Sequence, residues 1–68
     1  MDIKLLVGKR VRELRNSIGI SQEELADLAE LDRTYITSVE CGKRNISIVN
    51  IEKLANALQV SLKEFFSF

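Results

Sequence analysis

Apolar residues recur along this chain at helical spacing, and the gaps between the runs fall on capping residues. Ile3, Val7, Val11, Leu14 and Ile18 follow at intervals of four, four, three and four, one stripe on a first helix that ends near Gly19 in a left-handed cap. Gly8 lies inside that helix at a cost of about 1 kcal/mol against Ala, which predicts a close approach by another helix. Arg12 projects opposite the stripe, toward solvent, and Arg10 and Arg15 flank it within reach of other elements. Ser21 with Glu24 three residues on forms a capping box, so a second helix runs from about Gln22 to Ala29 and buries Leu25, Ala26 and Leu28. Glu30 and Leu31 make a turn, Asp32 caps a third helix from about Arg33 to Cys41, and Gly42 ends it. Ser47 caps a fourth, with Ile48, Ile51, Leu54, Ala55 and Leu58 as its core positions. After Val60, Ser61 and Glu64 offer a second capping box for a short last helix carrying Leu62, Phe65 and Phe66. The pattern predicts an all-α, compact five-helix domain over residues 1–68.

Two well-capped helices separated by so short a turn must cross steeply, the geometry of a helix-turn-helix at about 22–41. Projected at about 100° per residue, the third helix turns Tyr35, Ile36 and Val39 to one side and Thr34, Thr37, Ser38 and Cys41 to the other, with Arg33 at the edge of that polar side. A solvated helix face is usually rich in Lys and Glu; this one is short and small. Small hydroxyls allow close approach to the floor of a DNA major groove, and an arginine in the first turn reaches guanine O6 and N7. Lys43, Arg44 and Asn45 then lead to the Ser47 cap, offering cations and free backbone N–H groups to a phosphate.

Composition changes the picture in three places. The 68 residues are 46% hydrophobic with no proline and three glycines, which suits one small helical domain. No apolar run approaches the ~18 residues of a membrane span, and the N-terminus becomes charged too early for a secretory signal. Cys41 is the only cysteine and histidine is absent, so neither an intrachain disulfide nor the usual zinc ligand sets can form, and a reducing, cytoplasmic setting follows. Cys41 itself reads as a small residue near a helix end.

The formal net charge is zero, yet the charges are segregated. Residues 1–20 carry five cations against two carboxylates, 21–32 carry five carboxylates and no cation, and 33–47 carry three cations against one carboxylate. That layout suits a dipolar molecule with one basic face. The zero sum and the acidic second helix also keep open a protein-interaction module built on the same helices, such as an antitoxin-like or co-regulator domain. With no histidine, no glycine-rich phosphate loop and no carboxylate pair in an evident pocket, the chain is not expected to be an enzyme, and it calls for no cofactor, metal or small-molecule ligand. Three of the last four residues are Phe; one or two close the core, and the rest, with Val49, would be exposed in a monomer. Burying an aromatic is worth roughly 2–3 kcal/mol, so Phe65, Phe66, Phe68 and Val49 are candidates for a homodimer contact, with 62–68 as a dimerisation helix.

SQEELA, LDRTYI and GKRNISIVNIEKLA, at their spacing, resemble the lambda-repressor-like (Cro/C1, XRE-type) helix-turn-helix family, and within it the small controller proteins of restriction–modification systems. The resemblance covers nearly the whole chain. It implies five helices, a symmetric dimer and a transcriptional regulator that binds double-stranded DNA at palindromic operator half-sites. It further implies that Gln22 grips a phosphate, that Arg33, Thr34, Thr37 and Ser38 face base edges, and that Tyr35, Arg44, Asn45 and Ser47 lie near the DNA backbone, to which the basic loop itself adds Lys43. Arg15 and Glu40 match a structural salt bridge. The chain departs from the pattern at Glu30, where the family usually has Gly in a left-handed turn at a cost of about 1 kcal/mol for other residues.

Overall fold

The computed structural model describes all residues from Met1 to Phe68. Five helices follow in order: α1 (Ile3–Ser17), α2 (Gln22–Ala29), α3 (Arg33–Glu40), α4 (Ile48–Ala57) and α5 (Leu62–Phe65). Every one begins on a side-chain cap. The Asp2 carboxylate accepts from Lys4 and Leu5 N–H, and Ser21 and Glu24 close both bonds of their capping box. Asp32, Ser47 and Ser61 accept from the first turns of α3, α4 and α5. At α5 the box is half made, since Ser61 accepts from Glu64 N–H without the reciprocal bond.

Four helices end the same way. A residue with positive φ follows the last turn, and the N–H after it reaches back to a carbonyl five residues earlier: Ile20 to Arg15, Leu31 to Ala26, Lys43 to Ser38 and Val60 to Ala55. Glycine takes the left-handed position at Gly19 and Gly42; Glu30 (φ 56°) and Gln59 (φ 63°) take it without glycine. The α2–α3 turn therefore takes the left-handed shape expected there, at a residue whose Cβ makes that shape costly.

The core is one cluster drawn from all five helices: Val7, Val11 and Leu14; Leu25, Ala26 and Ala29; Ile36 and Val39; Leu54, Ala55 and Leu58; and Phe65. Gly8 sits where α1 crosses α3, and a Cβ there would run into the carbonyl oxygen of Val39, with that of Glu40 close behind. This close contact fixes where α3 lies along α1. No helix is long and apolar enough to cross a membrane.

Several expected core positions are exposed. Ile3 and Ile18 lie at the ends of the α1 stripe, beyond the helices packed on its middle. Leu28 is exposed and Ala29 takes its place, because Leu25, Ala26 and Ala29 occupy one narrow arc of α2 while Leu28 projects about 100° from Ala29. Ile48, in the first turn of α4, overhangs the core edge that Ile51 borders. Phe65 corrects the expectation at the C-terminus: it is fully buried and is the largest fully buried side chain, so it belongs to the protomer core and not to a dimer contact. Arg10 holds it there by donating to the carbonyls of Glu64 (2.6 Å) and Phe65 (3.1 Å) at the end of α5. Phe66, Phe68 and Val49 remain exposed.

Candidate nucleic-acid interface

The outer face of α3 is built from its cap inward. Asp32 Oδ1 accepts from both the N–H (2.8 Å) and the hydroxyl (2.7 Å) of Thr34, and these two bonds hold the Asp32 carboxyl below its usual range. Arg33 follows on an exposed first turn, with its guanidinium 3.8 Å from the equally exposed Glu23 carboxylate, a pairing weak enough in water to leave it free to swing. One turn on, the Thr37 hydroxyl lies 3.2 Å from both Gln22 Oε1 and the Arg33 carbonyl. Ser38 is half-buried beside them, while Ile36 and Val39 fill the core behind.

Glu40 anchors this arrangement from below. Its side chain has no exposure to solvent. Its two oxygens accept from Arg15 Nε (2.7 Å) and Nη2 (3.0 Å), from Gln22 Nε2 (3.0 Å) and from Arg12 Nε (3.3 Å). Burial alone would push its carboxyl up, but the bonds from Arg15, Gln22 and Arg12 outweigh it and the group lies below the ordinary glutamate range. Arg15 is raised in turn, first by its bond to Glu40, and also donates to the Ile20 carbonyl. One carboxylate thus ties together α1, the start of α2 and the end of α3.

This cluster redraws the charge map. Arg12, expected in solvent, bends to Glu40, and Arg10 is committed to α5, so the basic first helix spends its arginines inside the protomer. The cations left around the outer face of α3 are Arg33, Lys43 and Arg44. Gln22, expected to grip a phosphate, is held between Glu40 and Thr37.

The loop after Gly42 docks back on α3. The Arg44 guanidinium carbon lies 4.8 Å from the centre of the Tyr35 ring, a cation–π contact. Asn50 Nδ2 donates to the Tyr35 hydroxyl (3.1 Å), and the Asn50 N–H donates to Ser47 Oγ (3.1 Å). Tyr35, Arg44, Ser47 and Asn50 therefore form one group beside the exposed Lys43 and Asn45. Asp32, Arg12 and Asn50 serve the site without having been candidates for it. Asp32 was legible as a cap but not as the partner of a hydroxyl, and the other two are joined to their partners only by long-range packing.

The sequence and the fold are shared with known proteins. Residues 11–65 match the helix-turn-helix family. The chain is 46% identical over 67 residues to control protein C.MunI of a Mycoplasma species, covering 97% of this chain and 90% of that one. The restriction–modification controller protein C.AhdI from Aeromonas hydrophila superposes with a TM-score of 0.92 at 50% identity, over 97% of this chain and 100% of that chain. This chain belongs to the restriction–modification controller proteins of the helix-turn-helix family. A further member of the family, C.Esp1396I, has been solved as a tetramer in complex with its natural 35 base-pair operator; it matches with a TM-score of 0.88 at 36% identity, over 93% of this chain and 83% of that one.

Proposed function

We propose that this controller protein, a DNA-binding transcriptional regulator, works as a homodimer that lays α3 of each protomer in the major groove of one half-site of a palindromic operator. The observation that carries the reading is the outer face of α3: Arg33, Thr34 and Thr37 are open to solvent, yet each threonine hydroxyl is held by a bond within the protomer. Arg33 supplies the fork for a guanine, and Thr34, Thr37 and Ser38 face the neighbouring base edges. Gln22, Tyr35, Lys43, Arg44, Asn45 and Ser47 set the register on phosphates, which position the protein without carrying sequence information themselves. Val49, Phe66 and Phe68 form the contact between protomers. A protomer of 29 × 23 × 21 Å suits a two-fold dimer whose α3 helices lie about one DNA turn, some 34 Å, apart. The role is regulation, not catalysis.

The test is binding to a palindromic duplex chosen from a random pool, measured against salt. Neutralising 6–10 phosphates makes affinity fall by about a thousandfold or more between 50 and 200 mM salt. Arg33→Ala should cost about 1–3 kcal/mol on the selected duplex, concentrated at one base pair of each half-site. An equal loss on selected and random duplexes would remove Arg33 from the base-reading role.

A further inference from the structure

The hydroxyls around α3 are not interchangeable, because their protein partners settle which end of each is left over. An ionised carboxylate only accepts hydrogen bonds. The Gln22 atom 3.0 Å from Glu40 must therefore be the amide nitrogen, so the amide oxygen faces Thr37. A carbonyl-type oxygen also only accepts, and Thr37 has two of them at 3.2 Å, Gln22 Oε1 and the Arg33 carbonyl. Whichever it bonds, its single proton points into the protein. Thr34 meets the same condition one turn earlier, since its hydroxyl lies 2.7 Å from the Asp32 carboxylate. Ser47 is the reverse case: its oxygen accepts from the Asn50 N–H, which can only donate, so its proton stays free.

We propose that Glu40, acting through Gln22, and Asp32 set the polarity of base reading, so that Thr37 and Thr34 present only lone pairs to the groove and select bases carrying a major-groove amino group. Adenine N6 and cytosine N4 are donors there, whereas guanine O6 and N7 and thymine O4 accept. An acceptor-only hydroxyl suits adenine or cytosine on the strand it faces and rejects guanine or thymine at that position. The free Ser47 proton suits a phosphate oxygen instead. Glu40 is a positioning residue here: it lies beneath the reading face and acts on it through the orientation of one amide. This rests on α3 being the groove-reading helix.

The experiment is selection of bound duplexes from a random pool with wild type, Thr37→Val, Thr34→Val and Glu40→Gln, each checked for folding by circular dichroism. Wild type should select guanine opposite Arg33 and adenine or cytosine at the bases facing Thr34 and Thr37. Thr37→Val keeps the shape and removes the acceptor, so preference should fall by roughly two- to tenfold at its own base and stay unchanged at the guanine. Thr34→Val should do the same at its base. Glu40→Gln frees the Gln22 amide to turn its N–H toward Thr37 and occupy the lone pair that would face the base, so selection should broaden at the Thr37 base while the guanine preference stays unchanged, a pattern that general loosening of the fold would not produce. Should Glu40→Gln fail to fold, the wild-type profile and the two exposed threonine variants still decide. Wild-type selection of guanine or thymine at these bases, or no change in Thr37→Val, overturns the polarity while leaving DNA binding intact. No binding to any duplex at low salt overturns both.

Discussion

Where α1 crosses α3, the protomer leaves nothing to be completed. Gly8 brings the two backbones together, and every oxygen of the buried Glu40 carboxylate is bonded, to Arg15, Arg12 or Gln22. Around α5 the protomer is unfinished. Phe65 closes the core, but the Phe66 and Phe68 rings lie 6.2 Å apart, tilted by 41°, with about half of each in solvent, and Val49 and Ile48 are more exposed still. The first region uses directional bonds, which hold a few side chains of α3 in one geometry. The second offers apolar area, which is undirected and gains only when something covers it. On the proposed function, the reading face is organised before DNA arrives, and the spacing between two such faces is set by the contact between protomers.

Removing the Glu40 carboxylate tests the first half of that contrast most severely. Glu40→Ala leaves Arg15 without its partner in a part-buried setting and should cost about 3 kcal/mol, a fall of roughly 12 °C or more in thermal midpoint. Acid should act on the same bonds. The Glu40 carboxyl is depressed in the fold, so its stabilisation is fully present above the ordinary glutamate value of about 4.3 and is lost as pH falls through the folded value. Melting from pH 7 to pH 3 should show that loss in wild type and a shallower one in Glu40→Gln.

Gly8→Ala comes next. Its Cβ meets a backbone carbonyl that no rotamer change can move, so about 3 kcal/mol of overpacking outweighs the ~1 kcal/mol that alanine gains in a helix, for a net loss of about 2 kcal/mol. A neutral result in denaturant unfolding would mean that α1 and α3 slide freely and that the crossing is less fixed than Glu40 suggests. Phe66→Ser should separate the two regions: self-association weakens by about tenfold or more in sedimentation, while the melting of the dissociated protomer changes little. An unchanged association constant would place the protomer contact elsewhere. The smallest effect is Glu30→Gly, which should raise stability by about 0.5–1 kcal/mol by relieving a left-handed non-glycine residue, and should leave duplex affinity unchanged.

Most of the architecture was legible because it is local. Caps at Ser21, Asp32, Ser47 and Ser61 act within a few residues, and they placed the starts of α2 to α5 at the observed residues, whereas the last helix, expected over 62–68, stops at Phe65. What the local pattern leaves open is non-local. Nothing near Leu28 says that Ala29 takes the buried arc, and nothing near Arg12 says that it bends to a carboxylate 28 residues away. Gln59 closing α4 without a glycine, and Asn50 reaching Tyr35, were equally silent.

The candidate site divides along the same line. Residue order alone marked Arg33, Thr34, Thr37 and Ser38 as a small polar face, because helical periodicity is a property of the chain. Which atoms of that face are donors and which are acceptors was decided by packing. Glu40 is buried against α1 and α2, a carboxylate can only accept, and that single restriction passes through Gln22 to Thr37. Phe65 shows the division at its plainest. Three phenylalanines near the end of a chain look equivalent in sequence, and only the place where Arg10 holds the end of α5 makes one of them core and leaves two outside.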